Sequence, residues 1–170
     1  MIWIGAMDAT RRRFLASAGV AFVSIAAAGA CTRSATATPA VDYQVTHSDD
    51  EWKRLLTPAQ YDVLRQAGTE KPYSSPLNDE HRRGVFGCAG CALDLFSSDT
   101  KFDSGTGWPS FWKPLDNAVI ERTDDSLLMT RTEVLCRRCG GHLGHVFDDG
   151  PQPTGLRYCM NGDAMTFRPA

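Results

Sequence analysis

Neither sign of charge prevails in this chain: 18 Lys and Arg stand against 20 Asp and Glu, a formal net charge of −2. Without a strong field the protein lacks the electrostatic means of collecting nucleic acid or coating an anionic membrane, so small or neutral partners are favoured. A long hydrocarbon-spanning run is also missing. The apolar stretch at residues 14–30 has 17 residues diluted with Ala, Gly and Ser, short of the roughly 20 that cross a bilayer comfortably as a helix. A permanent transmembrane anchor is the weaker reading of that segment. No repeat of 20–50 residues stands out, which argues against a solenoid or a propeller. What is present, 170 residues with 42% hydrophobic content, suits one globular domain with a compact core.

The start of the chain belongs to targeting rather than to the fold. "TRRRFLASAGVAFVSIAAAGAC" has a charged opening, an apolar middle and a small-residue end, the three parts of an export signal. Thr10, Arg11, Arg12, Arg13, Phe14 and Leu15 resemble the twin-arginine motif S/T-R-R-x-F-L-K, with Ala16 in place of the final lysine. Residues 1–30 are therefore expected to be removed, leaving 15 basic and 19 acidic residues and a net charge of −4. Two cut sites compete. "AGAC" at 28–31 resembles a lipoprotein box without its usual leading Leu, with Cys31 as the lipid anchor, and "ATA" at 35–37 offers an ordinary cleavage. The expected location is the periplasm, either free or anchored to the inner membrane and facing it. Residues 31–44 read as a flexible leader, and 45–170 as the folded domain.

Two short helices open that domain. Ser48 three residues before Glu51 is a capping box; Thr57, Pro58 and Gly68 supply cap, first helical residue and exit of a second helix. Trp52, Leu55, Leu56, Tyr61 and Leu64 give these helices apolar faces for the core. Pro72 to Asn78 reads as a loop. Beyond residue 83 the chain turns to short strands, "GVFG", "ALDLF", "AVIERT", "SLLMTRTEVL", "HVF", "LRYCMN" and "AMTF", with Asp124-Asp125 as a hairpin turn. The fold class is mainly β, with antiparallel sheets behind short N-terminal helices.

Cys88-Ala89-Gly90-Cys91 and Cys136-Arg137-Arg138-Cys139 are two CxxC pairs with 44 residues between them. Two such turns brought face to face supply four thiolates to a tetrahedral zinc site. The gap means that the metal, one structural zinc per chain, ties together distant parts of the β domain. Redox motifs or disulfides are the rival reading, since the signal leads to an oxidising compartment. The twin-arginine resemblance weighs against it, because such signals imply transport of already folded proteins, which can load zinc in the cytoplasm. With four cysteines on the metal, His142 and His145 in "CGGHLGH" are free for acid–base work, although either could substitute as a ligand.

Cys159 in "GLRYCMNGD" then stands alone. On a strand it shares a face with Arg157 and Asn161, while Tyr158 and Met160 point the other way. A guanidinium favours thiolate and an amide can orient a reacting group, so Cys159 reads as a nucleophile rather than as a small buried hydrophobe.

"GTGWPSFW", "CRRCGGHLGHVFDDGP" and "GLRYCMN", with "GTExPxSSPL" at 68–77 and both CxxC pairs, resemble the B-type peptide methionine sulfoxide reductases over about residues 45–169. The resemblance implies a zinc-stabilised β-tent-like domain that reduces the R epimer of methionine sulfoxide in peptides or proteins. It implies Cys159 as nucleophile and Trp108 as the wall receiving the sulfoxide methyl. His142, His145 and Asn161 would bind water or help protonate oxygen, and Arg157 would help hold the thiolate. Two departures stand out. Thr106 lies where many relatives carry a resolving cysteine, so the sulfenic acid on Cys159 calls for an external thiol donor, a thioredoxin-like protein, with Cys31 as the only spare thiol. "NGD" at 161–163 stands where the family has Asn-Ser, and Asp163 adds an acid of open effect. A zinc-stabilised binding module without catalysis is the alternative from another class, but it has no chemical need for Cys159, Trp108 and two histidines.

Overall fold

In a computed structural model, the structure describes residues 41–126 and 129–170. The export-signal reading, both cleavage sites and Cys31 lie outside the described residues. No helix among the described residues is long and apolar enough to cross a membrane.

Helix α1, Asp49–Leu55, starts at Ser48 with the reciprocal Ser48–Glu51 capping box in place, and α2, Pro58–Gln66, starts at Thr57 with Gln60 completing a second one. Each box satisfies amides that the first helical turn leaves free. The exit of α2 differs from expectation: Ala67, at φ 54°, takes the left-handed cap one residue before Gly68. Trp52, Val63 and Leu64 are the buried residues of the two helices. The Pro72–Asn78 stretch is a loop that tightens into a 3-10 turn at Pro76–Asp79.

Nine strands follow among the described residues: β1 Gly84–Cys88, β2 Asp94–Ser97, β3 Lys101–Phe102, β4 Ser110–Phe111, β5 Val119–Asp124, β6 Arg131–Cys136, β7 His142–Phe147, β8 Arg157–Met160 and β9 Met165–Pro169. They form an antiparallel three-stranded sheet, β2-β1-β9, and an antiparallel six-stranded sheet, β3-β4-β8-β7-β6-β5. Strands β3 and β4 are two residues each and have too little pattern to be read from sequence. The Asp124-Asp125 turn is a correction. Asp124 stays in the ladder opposite Arg131, and the connection is the longer segment 125–130, so β6 begins at Arg131 rather than Ser126.

The two sheets share one core. Phe86 of β1 and Phe96 of β2 meet Phe111 of β4, with ring centroids 4.9 and 4.4 Å apart, and all three are fully buried. Such pairs add to the burial of their area, so this cluster fastens the small sheet to the large one. The chain reaches the domain at Tyr43 and Val45: Val45 N–H donates to the Arg138 carbonyl at 3.0 Å, and the Tyr43 ring lies against Gly140 in the second CxxC turn.

Candidate active site

The two CxxC turns sit at opposite sequence ends of the sheets. Cys88 closes β1 and Cys136 closes β6, and the turns that follow place Cys91 and Cys139 beside them. All four Sγ atoms lie within 4.8 Å of one another, with Cys88–Cys139 at 3.7 Å and Cys91–Cys136 at 3.5 Å. Four sulfurs at Zn–S bonds of about 2.3 Å from one centre stand about 3.8 Å apart, so the donor set and its spacing fit a structural zinc. Hydrogen bonding with Cys136 first of all drives the Cys91 thiol down and the Cys88 thiol up. A divalent cation would replace that uneven sharing of protons with four thiolates. Cys88, Cys91, Cys136 and Cys139 would hold it, and its chemistry there is to cross-link the two sheets.

Cys159 lies elsewhere, in the middle of β8, with Ser110 of β4 directly opposite on one side and His145 of β7 on the other. Its neighbours alternate as the strand period requires: Tyr158 and Met160 are buried in the core, and Arg157 and Cys159 are half-buried on the other face. Gly144 permits the close pairing of β7 with β8, because a Cβ there would collide with the Cys159 carbonyl oxygen. A pocket of about 170 Å³ opens over the thiol, lined by Thr69, Trp108, Arg131, His145, Phe147 and Asn161 along with Gly144 and Cys159.

Each lining group is held by an identifiable partner. Trp108 donates its Nε1–H to the Glu70 carbonyl at 3.2 Å. Asn161 accepts from Glu70 N–H at 3.0 Å and donates to the Leu143 carbonyl at 3.1 Å, so its amide is pinned at both ends. The buried Glu70 carboxylate accepts from Gly162 N–H at 2.8 Å and Asp163 N–H at 2.7 Å. Burial pushes the Glu70 carboxyl up, against the pull of those two amides. Glu70 therefore fixes both Trp108 and Asn161 through its backbone, a role that its place in "GTExPxSSPL" does not disclose.

His145 Nε2 lies 2.9 Å from Asp124 Oδ2, and His142 Nδ1 lies 2.7 Å from Glu133 Oε1. A carboxylate accepts, so each bonded nitrogen carries the hydrogen and the opposite nitrogen of each ring is left with a lone pair when the ring is neutral. Burial pushes His145 below the ordinary imidazole value, outweighing the Asp124 contact. Asp124 in turn is held below the carboxylate range, by Ser126 first and His145 after it. His142 does not line the thiol pocket. It faces an adjoining chamber bounded by Gln66, Arg122, Asp124, Arg131 and Glu133, and His145 borders both spaces. The Nε2 of His142 is buried with no partner among the described residues.

Arg157 is gripped by Asp149 at 2.8 and 2.9 Å and rests 4.4 Å from the Phe147 ring centroid. Burial raises the Cys159 thiol above its ordinary value, and Thr106 and Arg157 pull it back in part. The Thr106 Oγ1 is 3.9 Å from the sulfur, so the residue in the resolving cysteine's place does touch the nucleophile. Asp163 is tied to Glu70 through its backbone N–H.

Arg131, Asp124, Glu133, Asp149 and Glu70 escaped the sequence reading. One signal was present: Arg122 stands opposite Glu133, and Asp124 opposite Arg131, as complementary charges on neighbouring strands. Reading it required the register, which the misplaced turn concealed.

Fold and site together define an antiparallel β protein with a four-cysteine metal site that presents one thiol in a pocket with an indole and a carboxylate-oriented imidazole. Residues 56–169 match the SelR domain. The peptide methionine sulfoxide reductase MsrB of Leptospira interrogans is 52% identical over 129 residues, covering 75% of this chain and 98% of that protein. Those of Leifsonia xyli and Pseudomonas putida are each 56% identical, over 75% and 71% of this chain and 94% and 92% of their own lengths. The chain belongs to the SelR family, the B-type peptide methionine sulfoxide reductases.

Proposed function

We propose that the chain reduces the R epimer of methionine sulfoxide, in peptides and proteins, to methionine. The observation that carries this reading is the meeting of Cys159, Trp108 and His145 in one pocket. A sulfoxide has a methyl on one side and a polar S–O on the other; an aromatic wall facing polar groups orients it. The Cys159 thiolate attacks the sulfoxide sulfur, the oxygen takes a proton, and the oxygen ends on Cys159 as methionine leaves, giving a sulfenic acid. Two external thiols then return Cys159 to the thiol, with loss of water and formation of their own disulfide. Thr106 in place of a second cysteine supports this external route, and a thioredoxin-like protein is the proposed donor. The test uses separated R and S epimers of a methionine sulfoxide peptide with dithiothreitol. Turnover of the R epimer alone is expected, and turnover of neither would sink the reading.

Export is proposed from Arg11, Arg12 and the apolar run behind them: the mature chain works in the periplasm, free or held there by a lipid on Cys31. Changing Arg11 and Arg12 to Lys should leave the full-length precursor in the cytoplasmic fraction. Undiminished export of that variant would point to a different route.

A further inference from the structure

Three hydroxyls stand in a row that ends at Cys159. Ser110 Oγ donates to the Trp108 carbonyl at 3.0 Å, Ser104 Oγ lies 2.7 Å from Ser110 Oγ and 2.8 Å from Thr106 Oγ1, and Thr106 Oγ1 lies 3.9 Å from the Cys159 Sγ. Each hydroxyl has one proton, so the direction of the row can be counted. Ser110 is fully buried and gives its proton to a carbonyl, which only accepts; its oxygen must accept from Ser104. Ser104, its proton committed, accepts from Thr106, as it already does from the Thr106 N–H at 3.4 Å. Thr106 then meets the sulfur with lone pairs alone. In this direction the row accepts from a neutral thiol and has nothing to donate to a thiolate.

We propose that Ser110, Ser104 and Thr106 are positioning residues forming a reversible hydrogen-bond row, which accepts from the resting Cys159 thiol and turns round to donate to its thiolate. The proposal rests on the reading of Cys159 as nucleophile. Reversal needs only rotation of three hydroxyls: each oxygen keeps its own proton, and the thiol proton passes to solvent. It has a cost, because Ser110 must release the Trp108 carbonyl to donate to Ser104. In its resting direction the row offers the buried thiol acceptors only; once reversed, Thr106 donates to the thiolate, the contact through which it opposes the effect of burial on Cys159. The other charged and titratable groups around the sulfur are Arg157 on its own strand, with Asp149 behind it, and His145 and Arg131 from β7 and β6. Arg157 favours the thiolate whichever way the row points, so the row is the part that changes with state.

The test is the pH dependence of Cys159 alkylation by iodoacetamide, followed on the Cys159 peptide by mass spectrometry in the full-length protein. Thr106→Val removes the donor that the thiolate needs and should raise the apparent thiol pKa by roughly half a unit or more. Thr106→Ser should stay near the wild type. Ser104→Ala frees the Thr106 proton for the sulfur without any reversal, so it should move the pKa the opposite way. Shifts of one sign for Thr106→Val and Ser104→Ala, or no shift for either, would overturn the proposal. Alkylation needs no turnover, which separates the two readings: opposite shifts in a protein that reduces neither epimer would sink the proposed function and leave the row standing.

Discussion

Glu133 is a charged side chain kept inside a sheet, and its surroundings explain how. Burial raises its carboxyl, but hydrogen bonds from His142 and Arg122 outweigh that and hold it below the ordinary value. Its Oε1 takes the His142 Nδ1–H and its Oε2 takes Arg122 at 2.6 Å, so both oxygens are satisfied. A folded-state value below the unfolded one stabilises the protein above the ordinary Glu range and stops doing so as pH falls through the folded value. Glu133→Gln should therefore cost about 2–3 kcal/mol near neutrality, the cost of breaking a mostly buried charged contact. The gap from the wild type should close in acid, as the pH falls below the ordinary Glu range and through the lowered folded-state value. Urea midpoints of the two proteins at neutral and acid pH check this; an equal gap at both would show that the carboxylate charge is not the stabilising feature.

At the scale of elements, capping grammar made both helix starts legible, because Ser48 with Glu51 and Thr57 with Gln60 act within four residues. Strand existence was legible for the same local reason, in runs such as "ALDLF" and "AVIERT". Strand faces were legible in β8, where Tyr158 and Met160 turn inward as the period requires, but not in β7. His142 and His145 are three apart, and in a regular strand they would point to opposite sides. The ladder slips between Val134 and Leu135: Leu135 pairs with His142 and Val134 with Gly144. That extra residue lets both rings approach one side, 5.4 Å apart, each beside a carboxylate from β5 or β6. Gly162 is a second case. A Cβ there would run into the Ser75 hydroxyl, on a loop from the far side of the sequence. Only a contact map supplies such facts.

At the scale of the fold, the four cysteines join the end of β1 to the end of β6, and among the described residues no continuous backbone ladder does so. We predict one zinc per chain by elemental analysis. Cys136→Ser should lose that metal together with several kcal/mol of stability, because in such sites binding free energy is folding free energy, on the order of 10 kcal/mol in small zinc domains. A metal-free protein with an unchanged thermal midpoint would contradict it. The sequence by itself determined the metal ligands, the helix N-caps, the antiparallel β class and the family, all written in short spacings or contiguous motifs that survive without knowledge of the fold. The tertiary structure alone decided that His142 stands one chamber behind Cys159 while His145 lines its pocket, and that Glu70 braces Trp108 and Asn161. It also decided that Thr106, 53 positions from Cys159, reaches the sulfur. These depend on strand register and on a bulge, which are set by packing among residues far apart in the chain, and a one-residue slip in either would turn every side chain to the other face.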